Sequence, residues 1–196
     1  MSKRLTRTFF RRDPVALARS LLGQRLVRVL GGQRLAGLIV ETEAYLGIPD
    51  AAAHTYKGRH TIRNQTMWGD GGHCYVYFTY GMHHCANVVA GRAGDPVAVL
   101  MRALEPSEGL ETMRALRRRD RDLCSGPARL CQALAIDRTL DGTDLVKSDQ
   151  LFIELMARST KLRIVTAPRV GVSYAGLWAK RRLRYYIRDH TCVSKP

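Results

Sequence analysis

At 196 residues and 45% apolar the chain is long enough for one domain with a real core over residues 1–196, and nothing in it asks for two. It carries 32 Lys and Arg against 17 Asp and Glu, a formal net charge of +15 spread from Arg4 to Arg188, and this points to a polyanionic partner. No apolar run reaches membrane-spanning length and no secretory segment stands near Met1, so a membrane role is set aside and a soluble, cytoplasmic protein is expected. The basic residues are mostly Arg, with Lys only at 3, 57, 147, 161, 180 and 195. Guanidinium groups suit bidentate phosphate contact. Five cysteines (74, 85, 124, 131 and 192) with no C-x-x-C pair read as reduced thiols, mostly small core residues.

In chain order, residues 1–12 form a basic arm ending in Phe9-Phe10, whose rings are expected to anchor it to the body. Asp13-Pro14 reads as an N-cap and first helical residue. Val15, Ala18, Leu21 and Leu22 supply the apolar stripe, and Gly23 stands where a left-handed residue ends the helix. Two strand-like runs, 25–30 and 35–45, flank Gly31-Gly32-Gln33, a hairpin signal. The second run ends in Glu41-Thr42-Glu43-Ala44-Tyr45. Strand alternation places Glu41, Glu43 and Tyr45 on one face and Val40, Thr42 and Ala44 on the other. Two acids on one face are costly unless that face is wet or reactive. The same residues also suit a strand running out to solvent with an acidic end.

Residues 46–72 form a long connection with Pro49, Gly58 and Gly69 and one short helical turn at 50–53. Loops of this length in a compact domain are usually functional or disordered. This one carries His54, Lys57, Arg59, His60, Arg63 and Asn64, although for any single residue a solvated charged loop is the plainer reading. Aromatic and β-branched residues then read as strand on both sides of Tyr80-Gly81. That turn places Tyr80 and Met82 at an exposed tip, like the apolar wedges that enter a minor groove. Tyr75 is expected in the core, whereas Tyr77 suits either the core or a surface on which a base stacks. His73, Cys74, His83, His84 and Cys85 could each ligate a metal, but neighbours on a strand point to opposite faces, so none is expected.

Residues 97–104 form a further strand, apolar except for Arg102, and end at Glu105-Pro106. An arginine there needs an acid, and Glu41 or Glu43 can serve, as a structural ion pair or as an active-site clamp. A helix is expected over residues 107–116 with Leu110, Met113 and Leu116 inward, then a solvated charged run at 117–122. Ser125-Gly126-Pro127 opens a helix to about residue 135 that carries Arg129. Strands at 151–155, 162–165 and 183–187 complete the chain, with Arg169-Val170-Gly171-Val172 and a turn at 174–178 folded back on the body.

Taken together, Glu41-Thr42-Glu43-Ala44-Tyr45, His54, Arg59-x-Thr61-x-Arg63-Asn64, Tyr75-Val76-Tyr77-x-x-Tyr80-Gly81-Met82, Arg102-Ala103-Leu104-Glu105-Pro106 and Arg169-Val170-Gly171-Val172 resemble the alkyladenine (3-methyladenine) DNA glycosylase family, from about Thr8 to Ser194. The resemblance implies a single mixed α+β domain around a curved antiparallel sheet, with a protruding DNA-inserting β-hairpin. It implies a monomer that flips a damaged purine out of double-stranded DNA and hydrolyses its N-glycosidic bond without cofactor or metal. By that likeness Glu43 is the general base for water, with Arg102 and the backbone of Val172 helping to hold the water. Tyr45, His54, Tyr77, Cys85 and Asn87 surround the base. Tyr80 fills the gap it leaves, with Met82 beside it, and Arg59 and Arg63 contact phosphates. The lesions implied are 3-methyladenine, 7-methylguanine, hypoxanthine and ethenoadenine. In a bacterial cell such an enzyme is expected on the nucleoid.

Cationic alkylpurines leave without prior protonation, so one carboxylate suffices; neutral lesions need an acid, for which His54 is a candidate. Lys57 is the only lysine near these motifs, so no lyase step is expected. Gly69-Asp70-Gly71-Gly72 stands where relatives often carry prolines and predicts a loose approach to the hairpin. The alternative from another class is a non-catalytic basic DNA- or RNA-binding protein, which leaves the pairing of Glu43 with Arg102 without a purpose. A metal-dependent nuclease built on the His and Cys residues is the third reading.

Overall fold

The computed structural model describes residues 3–157 and 162–195. Its frame is an antiparallel sheet: β1 (Arg25–Leu30), β2 (Gln33–Tyr45), β3 (Cys74–Thr79), β4 (His83–Ala90), β5 (Val97–Glu108), β6 (Leu151–Glu154), β7 (Ile164–Ala167) and β8 (Arg184–Ile187). The order runs β3-β4-β5-β2-β1-β6, and β8, which also pairs with β7, joins β2. The sheet curls into a half-barrel, so the domain is the expected α+β type.

β2 is the hub because it has three partners. β5 follows it from Ala36 to Tyr45 on one side. On the other side β1 takes residues 33–38 and β8 takes Glu41 to Glu43. Both faces of β2 are also covered, that of Ala44 by the main core and that of Val40 by Ala103 and Val193, which accounts for a run of buried residues that includes two glutamates. Gly31 and Gly32, both at positive φ (56° and 82°), close the two-residue turn between β1 and β2 as the dipeptide predicts.

The alternation predicted for β2 holds from Glu41 to Tyr45 and breaks at Val40. Val40 packs with Ala103 and Val193, away from the main core that holds Ala44. Register shifts against β5 on both sides of Glu41 explain this, since an extra residue in one strand re-aims its neighbours. β5 runs past its predicted end, to Glu108. Pro106 is tolerated because it sits at the other register shift, opposite Gly37, where the ladder is already interrupted.

Helix α1 (Arg7–Phe10) and helix α2 (Pro14–Leu21) precede the sheet, and Asp13 caps α2 by accepting from the amides of Val15 and Ala16. Leu17, Ala18, Leu21 and Phe10 are fully buried, so the aromatic pair anchors the N-terminal segment as predicted. The basic arm is also tied down by charge. Arg4 pairs with Asp149, Arg7 with Asp144 and Arg11 with Asp70, and Leu5 is buried. Helices α3 (Leu110–Arg117) and α4 (Pro127–Ala133) cover the same face of the sheet; Met113 and Leu130 enter the core. α3 starts later than predicted because Gly109, at φ 73°, breaks the chain direction there. α4 ends early, with Ala135 left-handed beyond it. Cys74, Cys124 and Cys131 are core residues, and all five cysteines are free.

The 46–72 connection contains more structure than one turn. Besides bends at 51–53 it forms 3₁₀ segments Tyr56–Gly58 and Ile62–Trp68. Gly71 and Gly72 are sites of close approach: a Cβ at Gly71 would lie 2.7 Å from the carbonyl oxygen of Gly91, and one at Gly72 2.8 Å from the ring of Phe10. The approach to β3 is therefore tightly packed, contrary to the loose one predicted. The turn expected at 174–178 is a longer 3₁₀ segment, Ser173–Lys180, kinked at Gly176, and the strand expected at 162–165 lies two residues later. Among the described residues no helix is long and apolar enough to cross a membrane.

Gly37 tests the β2–β5 contact, since a Cβ there would meet the carbonyl oxygen of Glu105 at 2.7 Å and the Cβ of Leu104 at 3.1 Å. Gly37→Ala is expected to lower stability by about 1–3 kcal/mol, seen as a lower urea midpoint with an unchanged slope.

Candidate active site

The ladder brings distant residues onto one rung. Tyr75 on β3 opposes Asn87 on β4, Asn87 opposes Leu100 on β5, Leu100 opposes Glu43 on β2, and Glu43 opposes Arg184 on β8. Strands lie about 4.8 Å apart, so three steps separate Tyr75 from Glu43 by roughly 14 Å. Between them the curled face encloses a cavity of about 360 Å³.

Tyr45, His54, Tyr77, Cys85, Asn87, Arg102, Val172 and Tyr80 line this cavity, so most of the residues singled out in the sequence converge on it. The 46–72 connection supplies His54, which is fixed on two sides: Nδ1 lies 2.8 Å from Tyr75 Oη, and its ring meets that of Tyr77 edge-on at 4.6 Å. Asn64 holds this loop by donating to the carbonyls of His54 and Arg59 and accepting from the Thr61 amide. Asn87 donates to the Tyr75 carbonyl at 3.1 Å. Tyr75 is buried, as predicted, and its partly buried neighbour Tyr77 faces the cavity.

Glu43 lies one layer behind the wall, fully buried. Its Oε1 accepts from the Val170 amide at 2.7 Å and lies 3.3 Å from Arg102 Nη1, and its Oε2 accepts from Tyr45 Oη at 2.9 Å. The amide aimed at this carboxylate is thus that of Val170, two residues before Val172, whose side chain lines the wall. Arg102 also donates from Nε to Glu41 at 3.1 Å, so it serves both acids rather than one. Glu41 accepts in addition from Arg184 at 2.8 Å and from the Ser194 amide. Burial raises the pKa of Glu43, with Glu41 adding to the effect, despite the opposing pull of Arg102, the Val170 amide and Tyr45. Burial likewise lifts the Tyr45 phenol well above 10, so it stays protonated and donates to Glu43.

His54 moves the other way. Burial, then Arg63 and Arg59, lower its pKa to about 4, so the imidazole is neutral at pH 7 and has no imidazolium proton to give a leaving base. This weighs against it as the candidate acid.

Besides Glu43, three of the predicted residues do not line the wall. Met82 is 69% exposed at the connection between β3 and β4, beside Tyr80, which is 81% exposed and left-handed at φ 51°. Arg63 donates to the Phe78 carbonyl at the base of that connection, and Arg59 is exposed on the loop. Among the described residues no three His, Cys, Asp or Glu side chains come together as metal ligands.

Sequence reasoning missed an ion pair behind the wall. Arg169 and Asp50, both fully buried, are joined by bonds of 2.5 and 2.8 Å, and the guanidinium lies 4.6 Å over the Tyr45 ring. It also missed Tyr174, which lines the cavity mouth. The Arg-Val-Gly-Val run was the available signal for Arg169; for Asp50 there was none.

Residues 8–191 match the family model for methylpurine-DNA glycosylase. The chain belongs to that family. Its members hydrolyse an N-glycosyl bond of DNA, a reaction that opens base excision repair. This glycosylase-family chain is 48% identical over 207 residues to a mouse DNA-3-methyladenine glycosylase and 48% identical over 204 residues to a human one, with 98% and 97% of the chain covered. It spans 62% of the mouse protein and 68% of the human one. It is also 47% identical over 194 residues to a Methanocella arvoryzae protein provisionally named a 3-methyladenine DNA glycosylase, covering 97% of this chain and 96% of that one.

The neutral imidazole is directly checkable. An NMR titration of the His54 ring is expected to show one transition near pH 4; a transition at 6.5 or above would contradict the burial and arginine effects described here.

Proposed function

We propose that this chain is a monofunctional DNA glycosylase that flips alkylated or deaminated purines from duplex DNA and hydrolyses their N-glycosidic bond, using Glu43 as general base. The observation that carries the reading is a fully buried carboxylate of raised pKa, joined to an aromatic cavity through Tyr45, Arg102 and Val170. A carboxylate offers about four acceptor positions; the Val170 amide and Tyr45 Oη take two and Arg102 stands beside Oε1 as an ion pair, leaving a position for a water. In the proposed step that water gives a proton to Glu43 while its oxygen bonds to C1′. The C1′–N bond breaks with its electron pair passing to the base, which neutralises a cationic purine. Arg102, with a guanidinium shared between two acids, and the Val172 backbone help to hold the water.

The cavity volume lies at the small end of the usual range for ligand pockets, about 300–1,000 Å³, and suits one nucleotide. Tyr45 and Tyr77 present aromatic surface on which an electron-poor ring stacks favourably. Cys85 and Asn87 form the far wall beside His54, whose neutral ring contributes hydrogen bonding rather than a proton. Tyr80 replaces the extruded nucleotide in the stack, with Met82 beside it, and Arg59 and Arg63 contact phosphates. 3-Methyladenine and 7-methylguanine, which carry their own charge, fit this site without an acid. Hypoxanthine and ethenoadenine are processed more slowly, at rates limited by protonation. Lys57 is exposed, with its ammonium over Tyr56 and away from the cavity wall, which suits hydrolysis without a lyase step.

A single-turnover assay on duplex DNA with one 7-methylguanine or one hypoxanthine, read as alkali-dependent strand cleavage, tests this. Glu43→Gln is expected to lower the rate by about 10²–10⁴-fold while affinity for the lesion duplex stays within a few-fold. A Gln variant with the wild-type rate would rule Glu43 out as the base, and binding without excision by the wild type would favour the non-catalytic reading.

A further inference from the structure

Arg169 reaches neither the cavity wall nor a position where substrate could touch it, yet its guanidinium ties together the parts that surround Glu43. It grips Asp50 at 2.5 and 2.8 Å, donates from Nη1 to the Ala44 carbonyl at 3.0 Å, and lies 4.6 Å over the Tyr45 ring. Ala44 is the residue between Glu43 and Tyr45. The next residue along the chain from Arg169 supplies the Val170 amide. The groups that donate hydrogen bonds to Glu43 are Tyr45 Oη and that amide, and both are set by this one guanidinium.

Stability alone is a poor account of the pair. Buried ion pairs often stabilise no better than apolar residues of equal volume, and a planar guanidinium is needed only where a fork and a stacked face are used together. Here both are used, the fork on Asp50 and the face on Tyr45.

We propose that Arg169, anchored by Asp50, is a positioning residue for Glu43: it orients the carboxylate through the Tyr45 ring and the Val170 amide without contacting substrate. The inference rests on the reading of Glu43 as general base. It also has an electrostatic side. The groups facing Glu43 are Arg102 from β5, Cys85 from β4, Tyr77 from β3, Glu41 and Tyr45 on its own strand, and Arg169 and Tyr174 beyond the strands. Arg102 and Arg169 are the cations of this set, together with Arg184 of β8, which stands opposite Glu43 and bonds to Glu41. Loss of Arg169 therefore makes Glu43 harder to ionise, and activity then appears only at higher pH.

The experiment compares wild type, Arg169→Lys, Arg169→Met and Asp50→Asn on a duplex carrying one 7-methylguanine. Thermal unfolding checks each variant first, and the single-turnover rate constant, lesion-duplex affinity and pH–rate profile are then measured. Arg169→Met is expected to lower the rate constant at least 30-fold with affinity unchanged within threefold, and to move the acid limb of the profile to higher pH. Arg169→Lys keeps the charge but loses the fork and the stacked face, so it is expected to lose about 10-fold with the limb close to wild type. Should Arg169→Met fail to fold, Arg169→Lys and Asp50→Asn carry the test by the same split between rate and affinity. In a Glu43→Gln background Arg169→Lys should cost nothing further, whereas a merely structural role would lower both backgrounds alike. Folded variants within twofold of the wild-type rate and with an unmoved profile would overturn the inference, as would parallel losses of rate and affinity. If instead Glu43→Gln itself keeps the wild-type rate, it is the reading of Glu43 that fails.

Discussion

One guanidinium between two buried glutamates sets the terms for the rest of this structure. Arg102 reaches Glu41 with Nε and Glu43 with Nη1, and both acids are fully buried. An unpaired carboxylate in such a place would protonate rather than remain charged. The balance extends further: Arg184 meets Glu41 and Arg169 meets Asp50, giving three acids and three arginines behind one wall. Removing one partner of a buried pair typically costs about 3–5 kcal/mol, so the arrangement is held as a unit even where an apolar core would be as stable. The result is a carboxylate whose pKa burial raises while Arg102, the Val170 amide and Tyr45 favour its charged form.

The fold supplies this environment through β2. Because β5 lines one edge while β1 and β8 divide the other, the acidic end of β2 sits in the middle of the sheet instead of fraying into solvent. The curl then turns Tyr75, Tyr77, Asn87 and Leu100 toward the same cavity as Tyr45 and Arg102. Outside it the chain is strongly basic, and inside it is aromatic and close to charge-balanced. A polyanion is attracted to such a surface, and the proposed reading places an extruded, electron-poor ring within the cavity.

Local chemistry was legible in the sequence, and long-range register was not. Asp13-Pro14 and Gly31-Gly32 declare a helix start and a tight turn through backbone requirements that few other residues meet, and both stand where predicted. The acidic face of β2 and the need of Arg102 for an acid followed from alternation and the cost of burial. The interruption at Glu41, which turns Val40 away from Ala44, depends on the pairing with β5 and leaves no mark in β2 alone. Which amide of Arg169-Val170-Gly171-Val172 meets Glu43 is likewise decided by the path of a loop, and it is that of Val170. The ion pairs of the N-terminal basic arm were not legible because their acids, Asp70, Asp144 and Asp149, lie far away in sequence. The neutrality of His54 arises from burial and from Arg63 and Arg59 brought near it by the fold.

The central claim is that a single buried carboxylate of raised pKa governs base release. The pH dependence of single-turnover excision of 7-methylguanine by the wild-type protein tests it most directly, because this lesion needs no protonation and the profile reports the base alone. Glu43 is inactive while protonated, so the account predicts one acid limb with its midpoint above the ordinary glutamate value of 4.5 and a level rate from there through neutral pH. A rate independent of pH across the acid range, or one that falls as pH rises past neutrality as if a protonated histidine were required, would contradict it.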